Sequence, residues 1–375
     1  MPKLTFFNLG NADTCRIDLD NGKKILVDYA NTRPPNNRLA LECDLPLELR
    51  RDLNSADKDG FDVVAFTHLD RDHVQGASEF FEFQHAARYQ GGDRVKIETL
   101  WVPAAVILED SLNDDARIIR QEARYRLKQG QGIRVFSKPA LLEAWLNKEG
   151  LTLDSRRNLI TDAGTLAPDF DLATDGVEFF IHSPFASHMN KREIVARNND
   201  SLSFQARFNV GGTVTDVLLT GDIAYEVIAD IVNITKLKGN EGRLRWHVMG
   251  IPHHSSYKSL GPDKGKDKTV PLAEVDWLYT EAQAQDKGVL VSTSWPIPTD
   301  DSDNQPPHRQ AAAYYREKAA AIGGQYLVTM EHPTRHQPKP LVITIDQFGT
   351  TVQKPATGGA GAIPVTPAPR AGSDR

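Results

Sequence analysis

The chain has 375 residues, of which 40% are hydrophobic and 25% charged, so a large packed domain is feasible and global disorder is excluded. Its 44 basic and 50 acidic side chains leave a formal net charge of −6, which argues against a protein that coats nucleic acid nonspecifically. Cys15 and Cys43 are the only cysteines and form no Cys-x-x-Cys pair, which excludes a disulfide framework and a cysteine-built zinc site.

The opening residues MPKLTFFNLG lack the apolar core of a signal peptide, and no segment approaches membrane-spanning length. A soluble, cytoplasmic protein with no membrane partner is expected. Lys3 to Leu9 and Thr14 to Leu19 read as strands. Asn21-Gly22 is a two-residue hairpin signal leading into a third strand, Lys24 to Asp28. The Asp28 carboxylate at that strand end either braces a neighbouring ligand loop or caps a turn. A short helix is expected at Leu45 to Leu53. The stretch from Phe61 to Gly76 then begins with a buried strand, Val63 to Phe66. Immediately after it, His68, Asp70, Asp72 and His73 crowd together. Two imidazoles and two carboxylates so close repel or waste hydrogen bonds unless a cation sits among them, and both groups are ordinary ligands of zinc-class metals. A helix over Ala77 to Tyr89 and a strand over Val95 to Val102 follow.

From Ala104 to about Lys148 the chain is helical in period and carries Arg117, Arg120, Arg124 and Arg126. These arginines either contact substrate phosphates or form a solvated face paired with Asp114, Asp115 and Glu122. Val177 to His182, Ser201 to Phe208 and Val214 to Leu219 read as strands, the last running into Thr220-Gly221-Asp222. Ala224 to Ile234 is an amphipathic helix. The strand Trp246 to Ile251 delivers His253 and His254, which cannot both point the same way from one strand end. A strand at Gly288 to Thr293, a helix from His308 through Ala320, and strands at Tyr326 to Thr329 and Leu341 to Ile345 complete the expected elements. From Lys354 the sequence is rich in Pro, Gly and Ala and too poor in bulky residues to order itself, so a flexible tail is expected over 354–375.

His68-x-Asp70-x-Asp72-His73 after a strand resembles the His-x-His-x-Asp-His signature of the metallo-β-lactamase superfamily, with Asp70 in place of its second histidine. That variant is typical of the ComEC-like branch, the hydrolase domain of a DNA-uptake channel. Further stretches resemble that branch in the same order: Leu9-Gly10-Asn11-Ala12-Asp13, Leu26-Val27-Asp28, Asn198-Asn199-Asp200-Ser201-Leu202, Leu218-Leu219-Thr220-Gly221-Asp222 and His253-His254-Ser255-Ser256.

The resemblance implies an α/β fold, a four-layer αββα sandwich of two mixed sheets, over residues 1–353, with a basic helical insertion at about 104–165. It implies two divalent metal ions, zinc or manganese with magnesium as an alternative. One would take His68, Asp70 and a bridging Asp222; the other Asp72, His73, Asp222 and His254. His253 would face substrate, Asp28 would brace the ligands, and His308 would lie at the rim. The superfamily's usual third histidine has no counterpart. Asp200 could ligate there, or Asn198 and Ser201 could hold substrate or water, with His182 and His188 as alternatives. The implied activity is a metal-dependent phosphodiesterase or nuclease that uses a hydroxide held by a dinuclear centre. Its substrate would be nucleic acid or a small phosphodiester. The alternatives are hydrolysis of a lactone and a catalytically silent scaffold that keeps the fold.

Overall fold

The computed structural model describes residues 1–354 apart from Arg38, Ser111, 192–196 and Asp303. The expected tail therefore lies, from 355 onward, outside the described residues. The first seven strands are β1 (Lys3–Phe6), β2 (Cys15–Asp18), β3 (Lys24–Val27), β4 (Gly60–Ala65), β5 (Lys96–Pro103), β6 (Ile133–Phe136) and β7 (Ile160–Thr161). The next six are β8 (Val177–Ser183), β9 (Ser203–Val210), β10 (Thr213–Leu219), β11 (Trp246–Gly250), β12 (Ala284–Ser292) and β13 (Gln325–Val328). β14 (Leu341–Asp346) and β15 (Gly349–Val352) return to the first group beside β1. The result is a nine-stranded sheet, order β15-β14-β1-β2-β3-β4-β5-β6-β7, and a six-stranded sheet, order β13-β12-β11-β10-β9-β8. Both are mixed: β3 to β7 run parallel in the first and β10 to β13 in the second, while the hairpin-linked strands are antiparallel.

Side chains alternate across a strand, and here both faces are apolar. Val63 and Ala65 of β4, Trp101 of β5, Val217 and Leu219 of β10, Val248 of β11 and Val291 of β12 join one buried cluster between the sheets. Their neighbours in sequence point the other way. Val64 and Leu100 pack with Leu49, Ile119 and Leu127 of the helices Leu45–Ser55 and Asp114–Gln129. Leu218, Met249 and Leu290 pack with Val227, Ile231 and Tyr315 of the helices Tyr225–Leu237 and Arg309–Ala321. Helices, sheet, sheet and helices thus form the four expected layers. Each fully buried Leu, Val or Phe stabilises the stack by about 1.5–3 kcal/mol relative to exposure.

Two local expectations are corrected. The helix expected at Ala77 to Tyr89 is a single turn, Ala77–Phe80. Phe81 instead bridges to Val95, and Phe80, Phe81 and Phe83 enter the core around Tyr29. Aromatic burial thereby overrides local helical preference. The stretch at about 104–165 is not purely helical: β6 and β7 extend the first sheet, and Asp114–Gln129 buries Ile118, Ile119, Ala123 and Leu127 in its outer layer. It is part of the sandwich rather than an appendage.

Candidate metal centre

Parallel strands β3 and β4 end at Asp28 and at the loop carrying His68 to His73. Parallel strands β10, β11 and β12 end at Asp222, His254 and Thr293. Because the strands within each group run the same way, their carboxyl ends share an edge, and the two edges meet between the sheets. Asp72, His73, Asp222 and His254 are brought together there, each offering one ligand atom, with all four atoms within 4.8 Å of one another. His73 Nε2 lies 3.4 Å from Asp222 Oδ2, and His254 Nε2 lies 3.1 Å from Asp72 Oδ2 and 3.6 Å from Asp222 Oδ2.

The far sides of these ligands are held. His73 Nδ1–H donates to Asp28 Oδ2 at 2.8 Å, and Asp28 also accepts from the Thr67 N–H and Oγ–H, each at 2.7 Å. His254 Nδ1–H donates to the Thr293 carbonyl at 2.8 Å. These bonds set both tautomers, so each Nε2 presents a lone pair to the cluster. His253 N–H donates to Asp222 Oδ1 at 3.2 Å, which leaves Oδ2 facing inward. His73 Nε2 is also a buried atom with no hydrogen-bond partner among the described residues. Two imidazoles and two carboxylates aimed at one point, with an orphaned ring nitrogen among them, fit one divalent cation of the zinc or manganese class.

The electrostatics show the same demand for positive charge. Burial opposes a charge on His254, but Asp222, Asp72 and Asp13 outweigh it and raise the imidazole to about 9. His73 is driven well above its ordinary value in the same way, against burial, by Asp222 and Asp28. Burial works to raise Asp72, yet the His254 and His73 rings pull it down to about 2. Both histidine shifts favour positive charge among these carboxylates.

The loop after β11 is strained to bring this about. His253, His254 and Ser255 have φ of 52°, 52° and 63°, three consecutive non-glycine residues in the left-handed region. Ser255 Oγ is tied to Ser292 Oγ at 2.8 Å and to the Tyr326 hydroxyl at 2.9 Å, and these buried bonds help to hold the conformation. The two imidazole planes stand 86° apart, so His254 turns into the cluster while His253 is only half-buried and its side chain makes no hydrogen bond among the described residues. Burial lowers the pKa of His253.

The remaining sequence-derived candidates are placed differently. His68 is buried beside His73, ring centroids 4.0 Å apart, and its Nε2 has no hydrogen-bond partner among the described residues. That nitrogen is 3.6 Å from Asp70 Oδ2, but neither residue joins the four-residue cluster. Asp70 Oδ1 instead accepts from Arg197 Nη1 at 2.8 Å. Asp200 is buried and outside the cluster. Ser201 Oγ turns back to the Arg197 carbonyl at 3.2 Å, and the Asn198 carbonyl accepts the Ser201 N–H, so this turn shapes its own backbone rather than reaching the cluster. His182 bonds the Arg243 carbonyl at 2.8 Å, and His188 lies 3.1 Å from Asp230. His308 is corrected from rim to framework: it is 5% exposed, its Nε2–H donates to the Asn304 carbonyl, and its Nδ1 accepts from the Tyr257 N–H.

The arginine cluster is corrected as well. Arg126 donates to the carbonyls of Ile97, Glu98 and Gly132 and to buried Glu122. Arg120 donates to the Glu109 carbonyl and Arg124 to that of Ile107. Of the four, Arg117 alone is exposed. Carbonyls at the start of β5, just before β6 and of Ile107 and Glu109 accept from these guanidinium groups, so their helical spacing reflects an inward face. Sequence reasoning passed over Asp13, Thr67, Thr293 and Arg197. Asp13 Oδ2 lies 3.9 Å from His73 Nε2, and burial pushes its carboxyl up to about 6. Its place in the loop resembling the ComEC-like opening was the signal available. Thr293 acts through a backbone carbonyl, which no residue type announces.

No protein-family model matches the chain, and no curated protein matches it. Solved structures resemble it at low similarity. Unliganded yeast PDE1 is 10% identical, with 87% of this chain and 97% of that chain covered and a TM-score of 0.43. A diphosphatase of the PhnP family is 11% identical, covering 84% of this chain and 81% of that one, with a TM-score of 0.33. The Rm3 metallo-β-lactamase is 11% identical over 67% of this chain and 79% of its own, with a TM-score of 0.34. At these values the likeness carries no conclusion about this chain.

Proposed function

We propose that this chain is a metal-dependent hydrolase of phosphodiesters. The observation that carries the reading is the convergence of Asp72, His73, Asp222 and His254, with both histidine tautomers set from behind. A divalent cation held by these four groups would polarise a phosphoryl oxygen and make water nucleophilic near neutral pH. The chain's own contribution is positioning. Asp28 and Thr293 orient the imidazoles, and the His253 N–H orients Asp222. The His253 side chain, kept neutral by burial, is suited to take a proton from an attacking water.

A groove of about 460 Å³ beside the His68 to His73 loop is lined by Leu69, Arg71, Gln75 and Arg197 and also by Asp114 and Asp115. Arg71 is exposed and bonds only Gln75 among the described residues, so its guanidinium is available to a phosphate. The motif order resembling the ComEC-like branch supports a phosphodiester substrate. The inward-turned arginines of Asp114–Gln129 and the net charge of −6 favour a small diester or a strand end over a long nucleic-acid track.

The test is to incubate the protein with manganese, zinc or magnesium against cyclic dinucleotides, single-stranded DNA, RNA and bis-(p-nitrophenyl) phosphate. Turnover of a diester that a chelator abolishes and metal restores is expected. Inertness to every diester despite bound metal, with a lactone opened instead, would replace the substrate class. Inertness to both would favour a scaffold.

A further inference from the structure

The resemblance calls for a second ion on His68, Asp70 and Asp222, and the structure puts something else there. Asp70 Oδ1 receives Arg197 Nη1 at 2.8 Å, and Arg197 Nε donates to Glu109 Oε1 at 2.5 Å. Two carboxylates thus fix the planar guanidinium in a definite orientation. Glu109 is itself placed, because its backbone carbonyl accepts from buried Arg120 at 2.7 Å. The Ser201 hydroxyl pins the Arg197 carbonyl, so the turn from Asn198 to Ser201 carries the arginine. That turn occupies, in chain order, the place of the superfamily's missing histidine. Among the described residues no third ligand gathers with His68 and Asp70. An ion sharing Asp70 with a guanidinium would face cation–cation repulsion and a donor set short of the usual four.

We propose that Arg197 stands in for the second cation, so that the centre takes one divalent ion and one fixed guanidinium. The idea rests on the metal-centre reading above and specifies how that centre is charged. Nη2 of Arg197 makes no hydrogen bond among the described residues, and Arg197 lines the groove, where a guanidinium can meet a phosphoryl oxygen as charge develops on it. Arginine suits the position because its charge does not titrate and its fork matches carboxylate and phosphate alike.

Metal counting tests this without recourse to activity. Protein stripped by a chelator is loaded with manganese or zinc, passed over a desalting column and analysed for metal per chain, with electron paramagnetic resonance on the manganese form. Wild type should hold one ion and show an isolated manganese signal. Asp70→Asn should still hold one with unchanged affinity. Arg197→Ala should take up a second, weaker ion, which the double variant with Asp70→Asn should lose. Two ions in wild type, an exchange-coupled manganese pair, or about a tenfold or greater loss of affinity in Asp70→Asn would overturn the proposal, as would Arg197→Ala remaining at one. No ion in any variant would overturn the metal-centre reading itself. One ion without hydrolysis would remove the hydrolase reading and leave Arg197 in its assigned place.

Discussion

Asp28→Asn keeps the volume of a buried side chain and changes only its charge and donors. Asp28 Oδ1 accepts the Thr67 N–H, and Oδ2 accepts both the Thr67 hydroxyl and His73 Nδ1–H, at 2.7, 2.7 and 2.8 Å. Asparagine has one oxygen for these three donors. If that oxygen keeps the Thr67 N–H, the amide NH₂ faces His73 Nδ1 and donates to it. The imidazole proton then moves to Nε2, which points at Asp222 Oδ2 3.4 Å away, and the lone pair for a metal is lost. If the amide flips, it sets its N–H against the Thr67 N–H in a buried site, costing about 1–3 kcal/mol. Metal affinity should fall about 10- to 100-fold, or about 1.4–2.7 kcal/mol. Competition against a chromophoric chelator measures the affinity, and circular dichroism confirms the fold. An affinity within about twofold of wild type would refute the role of Asp28 in setting the His73 tautomer.

Asp72→Ala and His254→Ala should each lose metal while staying folded; full metal retention in elemental analysis would sink the ligand assignment. Arg126→Met should destabilise the fold by about 3–5 kcal/mol, because it takes the guanidinium from Oε1 of buried Glu122, leaving that carboxylate only the His85 bonds at Oε2, and removes a donor from three carbonyls. The salt dependence of substrate binding should not change, and a flattened salt slope would return the cluster to substrate contact. Ser255→Gly should be more stable than Ser255→Ala by about 1 kcal/mol, since both lose the hydroxyl bonds but only alanine keeps a Cβ at φ 63°; chemical denaturation giving the reverse order would show that the loop is not strained. Metal loading at pH 7 should release protons, because His254 in the ion-free protein titrates at about 9. By the same shift, the raised folded pKa stabilises the ion-free protein fully below about 6.5. That stability should be lost as pH rises through about 9, so its melting temperature should drop over that window. A flat profile would contradict the shift.

The sequence by itself determined most of the strands and their order along the chain, though not β6, β7 or β15, because apolar runs bounded by turn residues report burial directly. Val63 to Phe66 and Val214 to Leu219 read as strands for that reason, and β4 and β10 are there. The ligand types were also legible: imidazole and carboxylate crowded behind β4, an aspartate after Thr220-Gly221, a histidine pair after β11. Their convergence was not, since the distance between His73 and His254 depends on which strand edges meet. Tertiary structure alone decided the rest. It turned Arg120, Arg124 and Arg126 inward, because carbonyls at the start of β5 and of Ile107 and Glu109 lie within reach of their guanidinium groups, and helical spacing does not say which face is covered. It cut the helix after Ala77 to one turn, because three phenylalanines gained more by entering the core around Tyr29. It made His308 part of the framework, and it assigned Asp28 and the Thr293 carbonyl to the backs of the ligands. It also set Arg197 on Asp70, a pairing across more than a hundred residues that no local pattern encodes, because a long-range ion pair depends only on where the fold leaves two opposite charges.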